Sequence, residues 1–187
     1  RRRLAPQQQI LVGYVGRLAP EKEVGRLAVL RTLPSVRVVV VGDGPSRADL
    51  EQTMPDVVFL GRREGDDLAR AYAALDVFVH TGTSETFGQT IQEAGATGLP
   101  VVAPAAGGPL DLVEHGVTGL LFDPRDAGDL RSCVAQLSCA EDAWARRALM
   151  GEAGAARVAD RTWDALTEAL VDRYVAVSRP GSRVGLA

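Results

Sequence analysis

Lysine, histidine and cysteine are almost missing from this chain of 187 residues, which holds one Lys among its basic residues, two His and two Cys. Cys133 and Cys139 lack the C-x-x-C spacing of a redox or zinc site, and with only His80 and His115 beside them a metal centre is poorly supplied. No metal and no cofactor are therefore expected, and a reducing cytoplasm suits the chain best, with peripheral contact at the inner face of a membrane left open. Long apolar runs are also missing. Residues 36–41 are strand-sized and no signal-peptide pattern opens the sequence, so nothing reads as a membrane span or a leader. A charge excess of one sign is absent too, because 21 basic against 24 acidic residues leave a net charge of −3. That balance excludes a broad nucleic-acid surface and leaves only local clusters, Arg1-Arg2-Arg3 and Arg62-Arg63. Residues 1–9 read as a linker stub.

With 46% hydrophobic residues the chain can build a sizeable core. Apolar strand-like runs at residues 10–15, 36–41, 57–60, 76–80, 100–103 and 119–122 alternate with helical patterns near 24–33, 47–53, 66–74 and 87–97, and residues 127–177 read as helical. Near-continuous apolar strands separated by helices predict an α/β, doubly wound parallel sheet of Rossmann-like type, covered on both faces. The nucleotide-binding body is expected over residues 10–160. In such sheets ligands bind outside the carboxyl ends of the strands, and the loops at Gly16-Arg17, Gly42-Asp43-Gly44, Gly61-Arg62, 81–85 and 105–111 all fall there.

One of these loops carries the most chemistry. Ser84-Glu85-Thr86-Phe87-Gly88-Gln89-Thr90 leads from a strand into a helix whose first turn, Phe87 to Thr90, would point unpaired backbone N–H groups at an anion, with Gly88 leaving room for it. A diphosphate fits that place. Glu93 lies about six residues into the helix, roughly 9 Å along its axis, near the span from a diphosphate to its ribose. Glu85 precedes the helix on the side where a transferred sugar would lie. The plainer reading makes Glu85 an acid favoured by the helix dipole and Glu93 a solvated surface residue.

Other loops weigh in. Gly16-Arg17-Leu18-Ala19-Pro20-Glu21-Lys22 presents two cations on one strand-end loop, and a lone lysine in an arginine-rich chain suits a place that needs a compact, mobile ammonium. Gly42-Asp43-Gly44-Pro45 is a tight turn without the further glycine of a dinucleotide fingerprint, since Arg47 stands where it would be, and so an NAD-dependent dehydrogenase is disfavoured. Asp66-Asp67 reads as a helix start rather than a metal-binding pair. Gly107-Gly108-Pro109-Leu110-Asp111 could let backbone amides approach a sugar. His80 ends a strand at the rim, where it either lines the pocket or closes the strand, and His115 reads as structural.

Taken together, these motifs resemble the C-terminal, donor-binding domain of the retaining GT-B glycosyltransferases of group 1. The likeness runs from about Val12 to Phe122 through G-R-L-x-x-E-K at Gly16, G-x-G-P at Gly42, F-L-G at Phe59, E-x7-E at Glu85 to Glu93, G-x-P-V-V at Gly98, G-G at Gly107 and G-x-x-G-L-L-F at Gly116. The resemblance implies that Arg17 and Lys22 neutralise the donor diphosphate and that Glu85 contacts the transferred sugar, these three being the catalytic set. It further implies donor binding by Gly16, Gly42, Gly61, Arg62, Thr86, Phe87, Gly88, Gln89, Thr90 and Glu93, with Glu93 on the ribose. Transfer would proceed with retention and without metal, and the details look most like actinobacterial GDP-mannose-dependent α-mannosyltransferases.

Departures from the family pattern carry their own expectations. Ala94-Gly95 replaces the usual Ala-Met, costing about 1 kcal/mol of helix propensity; Asp111 stands for a glutamate, and His80-Thr81-Gly82-Thr83 for a Pro-Ser sequence. The resemblance also implies a partner outside these residues, an N-terminal domain that binds the acceptor, a membrane lipid or a glycan. Residues 161–187 are expected to be the C-terminal helix and tail that cross back to that domain, with Trp163, Leu166, Leu170 and Tyr174 either forming an exposed patch or packing in a core. Two alternatives remain: a degenerate module that senses a nucleotide-sugar or scaffolds a partner, and an epimerase with a related sheet.

Overall fold

The computed structural model describes Arg1 and residues 3–178, and for Trp163 the backbone only. Six strands, β1 (Ile10–Val15), β2 (Val36–Val41), β3 (Val58–Gly61), β4 (Val77–Val79), β5 (Val101–Pro104) and β6 (Gly119–Phe122), form one sheet in the order β3-β2-β1-β4-β5-β6. Every pairing is parallel. Alternate residues serve opposite faces. Val12, Tyr14, Val38 and Val40 enter one core layer, while Leu11, Val15, Val39 and Val41 enter the other. The doubly wound expectation holds, and the strand order reverses between β1 and β4, the place at whose carboxyl ends such sheets bind ligands.

Helices α1 (Arg47–Thr53), α2 (Gly65–Ala74), α3 (Gln89–Ala96), α4 (Pro109–Leu112), α5 (Asp129–Ser138), α6 (Ala143–Val158) and α7 (Trp163–Ser178) are the α-helices among the described residues. Two elements differ from the sequence expectation. The segment Val24–Thr32 is a 3₁₀ helix, not an α-helix. Its buried residues are consistent with this, because Val24, Leu27, Leu30 and the following Leu33 recur every third position and so line up best on one face at three residues per turn. The second difference is that α3 starts at Gln89 rather than Phe87. Gly88 adopts a left-handed conformation, φ 64°, which breaks the chain just before the helix.

The segment 127–177, read as helical, holds three separate helices, α5, α6 and α7. On α7, Leu166 is half-buried whereas Leu170, Val171, Tyr174 and Val175 are exposed, and the side chain of Trp163 lies outside the described residues. Earlier in the fold, α6 crosses α3 closely. A Cβ on Gly95 would sit 3.3 Å from the Gly154 carbonyl oxygen and 3.4 Å from Val158, so the glycine standing where methionine is usual has a packing role.

Candidate functional site

The loops after β1 and β4 meet where the strand order reverses and are tied together before any ligand is considered. Lys22 closes a short 3₁₀ turn, Pro20–Lys22, and its carbonyl oxygen accepts a 2.6 Å hydrogen bond from the buried Thr81 hydroxyl. Gly82 lies so close that a Cβ there would come within 3.3 Å of Glu21 O and Lys22 Cα. Next in the chain, Glu23 takes a left-handed conformation, φ 49°, uncommon for a residue with a side chain. It is held by Thr83 Oγ1 at 2.7 Å and by Arg26 at 2.5 Å. The backbone carrying Lys22 is therefore fixed from both sides, and its ammonium remains the part free to swing.

That ammonium donates to Glu85 Oε2 at 2.9 Å, joining residues 63 apart in sequence. The other carboxylate oxygen, Oε1, accepts from the N–H groups of Thr86 and Gly88, both at 3.1 Å. Burial pushes the Glu85 carboxyl up, but the Lys22 hydrogen bond, the Gly88 N–H and the Lys22 charge outweigh it and hold the group at about 2, against 4.5 ordinarily. Glu85 is ionised at neutral pH. Its carboxylate also occupies part of the mouth of α3, where the sequence led us to expect free amides from Phe87 onward. What remains open are the N–H groups of Gln89 and Thr90, which have no backbone acceptor among the described residues. Phe87 itself is 43% exposed, and its carbonyl accepts from Gln92 Nε2 at 3.0 Å.

Glu93 is not a freely solvated side chain. Tyr72 Oη donates to its Oε2 at 2.8 Å and Gln89 Nε2 to its Oε1 at 3.0 Å. Burial, then the neighbouring Glu93, raises the Tyr72 pKa, so the phenol stays protonated and orients the carboxylate. Sequence reading missed Tyr72, because nothing in the α2 pattern distinguishes it from an ordinary core aromatic.

On the β1–β2 side, a cleft of 620 Å³ is lined by Gly16, Arg17, Gly42, Gly44, Arg62 and Arg63, among others. Arg17 pairs with Glu21 at 3.5 Å and Arg62 with Glu64 at 2.5 Å, and both arginines are mostly exposed. Gly42 is required by contact, since a Cβ would lie 1.8 Å from the Gly16 carbonyl oxygen, at φ 141°. Gly61 adopts φ 72° and its carbonyl accepts the Gly42 N–H at 2.9 Å, which makes it a support of the cleft floor rather than a lining residue. The Gly107-Gly108 turn is committed inside the protein. Gly108 N–H bonds Glu85 O at 2.8 Å, and a Cβ on either glycine would press on the backbone of residues 83–86, so the Gly108 amide is not available to a sugar. His115 Nδ1 accepts the Leu121 N–H at 3.0 Å, a structural role as expected.

With cations, helix amides and two oriented carboxylates gathered along one rim, the comparisons with known proteins are informative. Residues 9–139 match the family model for "Glycosyl transferases group 1". A GDP-mannose-dependent alpha-mannosyltransferase of Mycobacterium tuberculosis is 46% identical over 185 residues, covering 95% of this chain and 46% of the relative. This chain thus spans about half the length of the curated relatives it matches. The crystal structure of Anabaena Alr3699/HepE in complex with UDP and glucose superposes with a TM-score of 0.77 at 32% identity, over 95% of this chain and 51% of that one. The fold also matches the C-terminal domain of a glycosyl transferase group 1 family protein from Francisella tularensis, with TM-score 0.69, 22% identity, and coverage of 80% of this chain and 84% of that one.

Proposed function

This chain belongs to the group 1 glycosyl transferases, and from that premise we propose that it is the donor-binding half of a retaining, metal-independent enzyme that transfers mannose from GDP-mannose. The observation that carries the reading is the Lys22–Glu85 pair, which spans the point where the strand order reverses and sits beside the open amides of α3. The diphosphate would lie against the N–H groups of Gln89 and Thr90, with Lys22 and Arg17 as its cations. Glu93, already oriented by Tyr72, would accept from the ribose hydroxyls, and Glu85 would accept from the mannose. The cleft bordered by Gly42 and Arg62 would take the base.

In the reaction the bond between the anomeric carbon and the diphosphate breaks, a bond to an acceptor hydroxyl oxygen forms as that hydroxyl gives up its proton to the departing phosphate oxygen, and GDP leaves with the bonding electron pair. Stabilising the negative charge that develops on the diphosphate is the contribution of the Lys22 ammonium and the α3 amides, which are in place before the bond breaks. The acceptor, a membrane lipid or a glycan, would be bound by the N-terminal domain of the same enzyme. No helix among the described residues is long and apolar enough to cross a membrane, and a lipid acceptor would be met peripherally at the inner face from the cytoplasm.

Titration calorimetry of the chain with GDP, GDP-mannose, UDP and ADP tests the donor assignment. GDP and GDP-mannose are expected to bind more tightly than UDP and ADP. Absence of binding by all four at millimolar concentration would overturn the proposal, and a preference for UDP or ADP would overturn the choice of base.

A further inference from the structure

His80 is a buried polar residue whose ring makes no side-chain hydrogen bond, beside the proposed sugar-binding carboxylate. It follows β4 immediately, and its backbone N–H bonds Val102 O at 2.9 Å, so the sheet fixes its position. The ring is 3% exposed and neither nitrogen completes a hydrogen bond. Folded proteins rarely leave such groups unsatisfied, and the exceptions call for a reason. The reason here is geometric. Nε2 stands 4.0 Å from Glu85 Oε2, the same oxygen that Lys22 Nζ binds at 2.9 Å. Burial keeps the imidazole neutral and the adjacent carboxylate favours its one proton on Nε2, so two donors face one acceptor and only one is engaged.

We propose that His80 is a positioning residue for Glu85: when a donor diphosphate draws the Lys22 ammonium away, the His80 Nε2–H closes onto Oε2 and keeps the carboxylate aimed at the sugar. The inference rests on the donor site proposed above. The movement required is about 1 Å, the difference between the present separation and an ordinary N–H···O distance. Without this replacement Glu85 would lose its Oε2 partner at the moment it must hold the sugar, keeping only the Thr86 and Gly88 amides on its other oxygen. His80 binds no sugar itself and acts through Glu85.

The test compares GDP-mannose with GDP on the wild-type chain, His80→Leu and His80→Gln. His80→Leu is expected to weaken GDP-mannose by about tenfold, the loss of one hydrogen bond to a charged group, and to weaken GDP, which displaces Lys22 but brings no sugar for Glu85 to hold, by no more than about threefold. His80→Gln, which keeps a donor near the Nε2 position, is expected to restore most of the GDP-mannose affinity. Equal weakening of both ligands would show a merely structural role and overturn the inference, as would no effect on either. Should His80→Leu fail to fold, nitrogen NMR of the wild-type imidazoles decides, since the chain has only two. Saturation with GDP should shift the His80 Nε2 resonance as an N–H gaining a carboxylate acceptor does, and an unmoved resonance in a chain that binds GDP would overturn the inference alone. A chain that binds neither ligand would overturn both this inference and the donor site.

Discussion

Replacing Lys22 by alanine is expected to weaken GDP binding by about tenfold to a hundredfold while leaving guanosine, which has no phosphate, within about twofold. Two losses of one sign are offset in part by the ion pair with Glu85, which the variant no longer has to open. A charge-assisted hydrogen bond to the diphosphate is lost, and Glu85, held ionised at about 2 largely by Lys22 and the Gly88 amide, is left as an unneutralised anion beside the phosphates. Lys22→Arg should recover only part of the loss. The Lys22 backbone is pinned by Thr81 and pressed by Gly82, so a longer planar guanidinium has to fit a space shaped for a compact ammonium. Calorimetry of both ligands on both variants provides the check; equal losses for GDP and guanosine would remove the phosphate role from Lys22.

The second large effect is on stability. Gly151→Ala is expected to destabilise the fold by about 3 kcal/mol, because the new Cβ would lie 2.0 Å from the Gly98 carbonyl oxygen, and backbone cannot rotate out of the way as a side chain can. For a chain of this size that corresponds to a fall in Tm of roughly 6–12 °C. Gly98 ends α3 in a left-handed turn, φ 71°, so the displaced backbone belongs to the helix whose other end carries the candidate anion site. Three residues along the same helix the outcome should reverse. Nothing comes closer than 3.8 Å to a Cβ on Gly154, and Gly154→Ala should be neutral or stabilising by up to about 1 kcal/mol through helix propensity. Thermal denaturation of the two variants side by side separates close helix packing from a general intolerance of α6 to substitution. Similar Tm values for both would contradict the packing account.

The contrast between these glycines marks where sequence reasoning reached and where it stopped. β1, β2 and β6 were legible to the residue, since each is dominated by branched or large apolar residues, with Gly13, Arg37 and Gly119 as the exceptions. The rim loops were legible as well, because a parallel sheet leaves its strand carboxyl ends as the only common edge for them. The 3₁₀ conformation of Val24–Thr32 was not, since a short apolar repeat of three satisfies an α-helical pattern nearly as well. The start of α3 was misplaced by two residues because a positive φ at Gly88 is permitted by glycine but not dictated by it.

Pairings over long sequence distance were the least visible. Lys22 and Glu85 could each be singled out, yet their mutual contact depends on β1 and β4 being sheet neighbours, which strand order alone decides. Tyr72 and Glu93 show the same limit from the other side. One partner was identified as functional and the other looked like core, although the phenol's hydroxyl end reaches the carboxylate while its ring packs among buried neighbours. Gly95 was read as a loss of propensity, and only the neighbouring α6 shows what the small residue permits.

The central claim is that a nucleoside diphosphate sugar lies across the reversal point of the sheet, and a crystal structure of this chain with GDP-mannose tests it most directly. The account predicts the diphosphate against the amides of Gln89 and Thr90, Lys22 Nζ turned from Glu85 to a phosphate oxygen, the ribose on Glu93 and the mannose on Glu85. A nucleotide bound elsewhere on the chain, or a diphosphate at this rim with Lys22 still on Glu85 and no contact to the α3 amides, would contradict it.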